Sequence, residues 1–226
     1  MNIIEISKKT AGEKGAEYIR DGMVIGLGTG STVRYTIEAI ANRIKYENLD
    51  IIGIPTSNAT EKLALSLGIK ISSLEEYSEV DLCIDGADEV DSEFNLIKGA
   101  GGAHTMEKIV SSASKRFIVV VDKTKMVEKI GKLPVPVEFI SFGKRFISNE
   151  LRRIGGYPEL RENFRTDNGN LIFDTKFHIN NPSLLEDKIN SIPGVIENGV
   201  FSKRRPEMII VGDGNNFRIL NRSENG

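Results

Sequence analysis

The 226-residue chain has one cysteine, two histidines and almost no excess of either charge, with 30 lysines and arginines against 32 aspartates and glutamates. A lone Cys83 cannot close an internal disulfide, which fits a reducing compartment and excludes the disulfide-stapled secreted scaffolds. It lies in the apolar run Val80–Ile84 and reads there as a small buried hydrophobe. A formal net charge of −2 leaves no basic stripe of the kind that binds nucleic acid. No apolar run approaches the length of a bilayer span, and Met1-Asn2-Ile3-Ile4-Glu5 lacks the pattern of a signal peptide. These absences point to a soluble, cytoplasmic protein with neither a nucleic acid nor a membrane as partner. Attraction for an anionic ligand must then be local, at Lys98, Lys125 and a helix start, rather than a property of the whole surface.

What is present is glycine and acid, placed at the ends of strands. Met23-Val24-Ile25 reads as a strand, Gly26-Leu27-Gly28-Thr29-Gly30 as a glycine turn, and Ser31-Thr32 as the opening of a helix with Val33, Ile37, Ile40 and Ile44 on one face. Such a turn lets backbone approach a ligand closely, and the helix start favours a phosphate. Neither nucleotide motif is met: counting from Gly26 the third glycine position holds Ser31, from Gly28 it holds Val33, and Gly30 is followed by Ser31 with no P-loop lysine. Taken alone, the segment reads equally as an ordinary tight turn with Ser31 as N-cap. Downstream, the strand Val80–Ile84 runs into Asp85, Asp88, Glu89, Asp91 and Glu93, then Lys98, a glycine cluster and Glu107. Ligands bind at the carboxyl ends of strands in open α/β sheets, and this density of ionisable groups suits proton transfer on a small anion. Asp88-Glu89-Val90-Asp91 by itself reads first as a solvated loop face and Lys98 as a surface lysine. The glycine and glutamate positions of a calcium-binding EF-hand loop do not follow.

Strands and helices alternate to about Asp122: Met23–Ile25, helix 31–45, Ile51–Ile54, helix 58–67, Ile69–Ile71, Val80–Ile84, helix 104–114 and Phe117–Val121. That alternation implies an α/β, doubly wound, mostly parallel sheet of Rossmann-like type. After Lys132 the order becomes strand 133–139, a helix marked by Phe142, Phe146, Leu151 and Ile154, strands near 159–165 and 171–177 joined by Asp167-Asn168-Gly169, helix 183–191 and strand 195–201. This βαββαβ order is that of a ferredoxin-like α+β domain. Met208–Val211 and Phe217–Leu220 are apolar enough to return to the first sheet. The expected division is 1–130 plus 203–226 for the α/β domain and 131–202 for the smaller one, which could act as a lid. Residues 139–146 and the smaller domain's edge are candidate contact surfaces.

Gly28-Thr29-Gly30-Ser31-Thr32, Asp85-Gly86-Ala87-Asp88-Glu89, Lys98-Gly99-Ala100-Gly101-Gly102-Ala103 and Glu107-Lys108 together resemble ribose-5-phosphate isomerase of the A type. The likeness continues in register through Val121–Lys125, Leu133–Glu138, Thr166–Asn170 and Ile192–Val195, and so covers nearly the whole chain. It departs at Met106, where the family often has an arginine. The resemblance implies an aldose–ketose isomerase that interconverts ribose 5-phosphate and ribulose 5-phosphate through an enediolate, without cofactor or metal, as a homodimer or homotetramer. It makes Glu107 the base, Asp85 the group that opens the furanose ring, and Asp88 and Lys98 the groups that handle O1 and O2. Gly28, Thr29, Gly30, Ser31, Thr32 and Lys125 would take the phosphate. Gly86, Ala87, Gly99, Ala100 and Gly101 would complete the substrate site. His104 and His178 have no assigned role. Competing readings are a sugar-phosphate deaminase or lactonase on similar architecture, and a sugar-phosphate sensor, for which residues 1–22 are too short to supply a DNA-reading module.

Overall fold

The computed structural model describes residues 2–223. Its elements are, in chain order, α1 (Ile3–Ala16), β1 (Val24–Leu27), α2 (Ser31–Glu47), β2 (Ile52–Pro55), α3 (Asn58–Ser66), β3 (Val80–Asp85), β4 (Glu89–Val90), β5 (Leu96–Ile97), α4 (His104–Ser112) and β6 (Ser114–Asp122). Next come β7 (Val135–Phe139), α5 (Lys144–Arg153), β8 (Tyr157–Leu160), β9 (Leu171–Lys176), α6 (Pro182–Asn190), β10 (Val195–Asn198), β11 (Val200–Phe201), β12 (Met208–Asp213) and β13 (Asn216–Asn221).

The chain forms two compact units. One comprises residues up to Ala87, Met106–Lys125 and the chain from Pro206 on; the other comprises Asp88–Thr105 and Met126–Arg205. The division expected from sequence placed 88–105 with the α/β domain. In the structure that segment groups with the second unit because β5 pairs antiparallel with both β4 and β11. Positions 1 and 224–226 of the expected α/β domain lie outside the described residues.

The first unit is a six-stranded sheet of order β13-β12-β6-β3-β1-β2, parallel except for β13, which returns antiparallel against β12. Its central strands β3 and β6 are almost continuously buried, as parallel strands covered on both faces must be. Helix α1 was not legible in the apolar pattern. It buries Ser7, Ala11, Gly12, Gly15 and Ala16, so small residues replace the usual hydrophobic stripe. A Cβ on Gly12 would stand 2.7 Å from Thr32 O, and Thr36 Oγ1 donates to Gly12 O at 2.9 Å, so α1 meets α2 backbone to backbone. The expected strand Ile69–Ile71 is reduced to one bridge between Ile71 and Gly53.

The second unit contains the antiparallel sheet β10-β7-β9-β8 with α5 and α6, in the βαββαβ chain order expected, and a small sheet β11-β5-β4. Phe139 and Phe173 stack at 4.4 Å in its core. Two expectations change here. The strand expected over 195–201 breaks at Gly199, where a Cβ would lie 2.2 Å from Lys98 O, and its halves join different sheets. The buried face of α5 is Ile147 and Leu151, because the helix starts only at Lys144; Phe142 is 99% exposed and Phe146 half exposed. Phe146 is one residue, about 100°, off that stripe. Among the described residues no helix is long and apolar enough to cross a membrane.

Candidate active site

In the first unit, β1, β3 and β6 are consecutive neighbours, so the turns that follow them open at the same edge of the sheet. Asp85 closes β3 fully buried, and its Oδ1 accepts from Thr29 N at 3.1 Å and Gly86 N at 2.7 Å. Gly28 is glycine for a reason unrelated to phosphate: an added Cβ would lie 2.2 Å from Asp85 Oδ1 and 2.6 Å from its Cα. The phosphate reading rests instead on Gly30, which has φ +130° and open space where a Cβ would be. It is also Gly30, and not Ser31, that stands at the N-cap of α2, where no side chain caps the helix and no acid lies in the first turn. Ser31 is exposed there and Thr32 buried.

Thr29 turns its hydroxyl away from that helix start, to Thr56 Oγ1 and Ser57 Oγ, both at 2.8 Å, and to Thr60 Oγ1 at 3.1 Å. Thr60 in turn donates to Gly28 O at 2.9 Å, and Ser57 Oγ caps α3 through Thr60 N. These three hydroxyl residues hold the glycine turn and were not identified from sequence, although Thr56-Ser57 between β2 and α3 repeats the strand-to-helix pattern after β1. Lys125 ends a 3₁₀ turn, Lys123–Lys125, directly after β6 and is half-buried. Glu107, only 4% exposed, lies in the first turn of α4. That helix packs so closely on the sheet that a Cβ on Gly26 would be 2.7 Å from Val110.

In the second unit, Asp88 Oδ2 accepts from Ala100 N at 2.9 Å, so the loop after β5 folds back onto this acid. Lys98 is no surface lysine. It is 2% exposed, its N–H donates to Gly199 O at 2.9 Å, and its ammonium lies 5.5 Å from the centre of the Phe201 ring. Gly99 and Gly102 adopt φ +104° and +77°, and Cβ atoms there would collide with His104 and Phe164; Gly101 faces open space. Arg161 holds the same loop. Its guanidinium pairs with both Asp174 oxygens, at 2.8 and 2.5 Å, and donates to Gly99 O at 3.2 Å and Ala100 O at 3.1 Å, with Phe164 stacked at 5.1 Å. Asp88, Ala100, Arg161 and Asp174 line a cavity of 320 Å³ within this unit. Arg161, Phe164 and Asp174 carry no sequence signal, because a loop clamp has no periodicity.

The acidic run 88–91 is likewise not a solvated face. Glu89 accepts from Gly131 N at 2.6 Å and Leu133 N at 2.7 Å, and Asp91 accepts from Glu93 N and Asn95 N, both acids being buried. The His104 ring lies 3.3 Å from Glu197 O, and His178 is exposed beyond the end of β9.

A parallel sheet with a glycine turn and buried acids at its strand ends defines a protein of the open α/β class, in which ligands bind at the carboxyl ends of the strands. The family model described as ribose 5-phosphate isomerase A (phosphoriboisomerase A) matches residues 52–216, and the chain belongs to that family, whose members are isomerases. It is 43% identical to the ribose-5-phosphate isomerase A of Methanothermobacter thermautotrophicus over 97% of this chain and all of that protein. It is 44% identical to that of Streptococcus pneumoniae over 92% and 94% of the two chains. The solved ribose 5-phosphate isomerase A of Neisseria gonorrhoeae superposes with a TM-score of 0.94 at 37% identity, covering 99% of this chain and all of that one. A structure of D-ribose-5-phosphate isomerase in complex with phospho-erythronic acid also gives 0.94, at 42% identity over 98% and 100%.

Proposed function

We propose that this protein interconverts D-ribose 5-phosphate and D-ribulose 5-phosphate through an enediolate, with Glu107 as the base. In the forward direction Glu107 takes the proton from C2 of the open-chain aldehyde and leaves an enediolate with its charge on O1. The hydroxyl proton of O2 passes to O1, Glu107 returns its proton to C1 and the C2–O2 carbonyl forms, so atoms and charge balance and one carboxylate serves both carbons. Asp85 assists ring opening, Asp88 and Lys98 attend O1 and O2 as charge develops there, and residues 28–32 with Lys125 take the phosphate. Gly86, Ala87, Gly99, Ala100 and Gly101 complete the backbone of the substrate site. On this reading the protein works in the cytoplasm, within the pentose phosphate pathway, as a homodimer or homotetramer.

The observation that carries the reading is the buried carboxylate of Glu107 in the first turn of α4, in a chain that belongs to this family over most of its length. A relative bound to phospho-erythronic acid supports it, because that compound is a phosphate ester of a sugar acid and bears anionic groups, as an enediolate phosphate does. The uncapped start of α2 supports a phosphate subsite. The test is conversion of ribose 5-phosphate by purified, chelator-treated protein alongside Glu107→Gln. Proton transfer by a positioned group is worth ~10²–10⁴-fold, so the variant should lose that much of kcat while binding substrate. A Glu107→Gln enzyme with full turnover, or a wild type that binds the sugar phosphate without converting it, would overturn the proposal.

A further inference from the structure

Three segments far apart in sequence meet at one buried acid in the second unit. Glu138, on β7 and 0% exposed, accepts from Thr105 Oγ1 at 2.5 Å through Oε2. Its Oε1 accepts from Thr166 Oγ1 at 2.8 Å, Asn170 Nδ2 at 2.9 Å and Asn168 Nδ2 at 3.2 Å. These four donors are neutral, and a carboxylate presents acceptor positions enough for all of them. Burial, the largest single influence, pushes the Glu138 pKa up, but the four hydrogen bonds outweigh it and hold the group below its ordinary value.

Other buried acids of this unit fasten the turns whose backbone they bind. Glu89 accepts the N–H groups of Gly131 and Leu133, and Glu186 accepts those of Ser202 and Lys203. Glu138 receives side chains only, and one of them belongs to the second residue of α4. Two residues further along that helix is Glu107. The chain passes from the second unit to the first between Thr105 and Met106, so this hydrogen bond lies at the end of α4 that the second unit holds.

We infer that Glu138 is a positioning residue for the isomerisation: through Thr105 it fixes the first turn of α4 and thereby the carboxylate of Glu107. The inference rests on Glu107 being the base. A base that must reach two adjacent carbons tolerates little displacement, since a misplacement of about 1 Å can cost about 10²-fold.

The experiment compares Thr105→Val, which keeps the side-chain shape without its hydroxyl, with Thr105→Ser, which keeps the hydroxyl. Thr105→Val should lower kcat by ~10–100-fold with KM within about 2-fold of wild type, and Thr105→Ser should recover most of that loss. Introduced into Glu107→Gln, Thr105→Val should cause no further loss, because a residue acting through an absent base has nothing to position. Wild-type kcat in Thr105→Val would overturn the inference, as would a loss of the same size in the Glu107→Gln background. A second measurement does not use turnover: in Glu138→Gln the first-turn amides of α4 should exchange hydrogen at least about 10-fold faster than in wild type. Unchanged protection there would overturn the clamp itself. Glu107→Gln with full turnover would instead remove the base assignment while leaving the exchange result to stand or fall separately.

Discussion

In the first unit two buried acids close strands, Asp85 at β3 accepting from Thr29 N of the glycine turn and from Gly86 N, and Asp122 at β6 accepting from Thr124 N at 2.9 Å, while the buried Glu107 lies in the first turn of α4. In the second unit Glu89, Asp91, Glu138 and Glu186 each gather donors from loops. The difference follows from what else holds each unit together. The first has an apolar cluster from Ala11 to Ile210 spread over helices and a parallel sheet whose strands β3 and β6 end in these acids. The second has small sheets joined by long connections, including 126–134 and 161–170, whose polar backbone must find partners. A buried carboxylate accepting several N–H or O–H groups supplies them.

The comparison can be broken by substitution. The largest effect on stability belongs to the apolar cluster of the first unit: Ile210→Ala should cost about 2–5 kcal/mol in denaturant unfolding, and a cost near zero would mean that cluster does not hold the unit. Glu89→Ala should cost about 1–3 kcal/mol by leaving two backbone donors of a partly buried loop without their acceptor. A result as small as that of a surface change would remove the role given to acids in the second unit. Glu138 sharpens the point through pH. Its folded pKa lies below its unfolded value of about 4.3, so its contribution is complete above that pH and is lost as pH falls through the folded value. Wild type should therefore lose stability more steeply than Glu138→Gln below about pH 4, and parallel acid profiles would contradict the depressed pKa. The smallest effect belongs to Phe142→Ser, within about 0.5 kcal/mol, because this side chain is 99% exposed on the single chain. A clear destabilisation that grows with protein concentration would show that a second copy covers it.

How much was legible differed between the units for the same reason. Alternating apolar runs and glycine stops located β1, α2, β3, β6 and the βαββαβ order, because burial of one face or of a whole strand leaves a period in the sequence. Helix α1 left none, since Ser7, Ala11, Gly12 and Gly15 bury backbone instead of hydrocarbon. Phe142 and Phe146 mark a helix together with Leu151 and Ile154 in the sequence, but hydrophobicity alone does not say that it begins only at Lys144. Residue type and spacing made the glycine turn, the acids and Lys98 candidates, and the family resemblance named them as site residues. Their supports, Thr56, Ser57 and Thr60 under Thr29, and Arg161 and Asp174 under the 99–100 backbone, were named by neither.

The sequence by itself determined the class of fold, the family, and the residues able to carry charge and protons, since these depend on residue type and short-range order. Only the tertiary structure decided which acids are structural and which stand at strand ends. It decided that Gly28 is required by Asp85, that Glu89 and Asp91 of the acidic run are buried, and that Thr105, Glu138 and 166–170 converge. The physical reason is that a carboxylate's role is set by the donors that surround it, and those donors come from segments the chain brings together only when it folds.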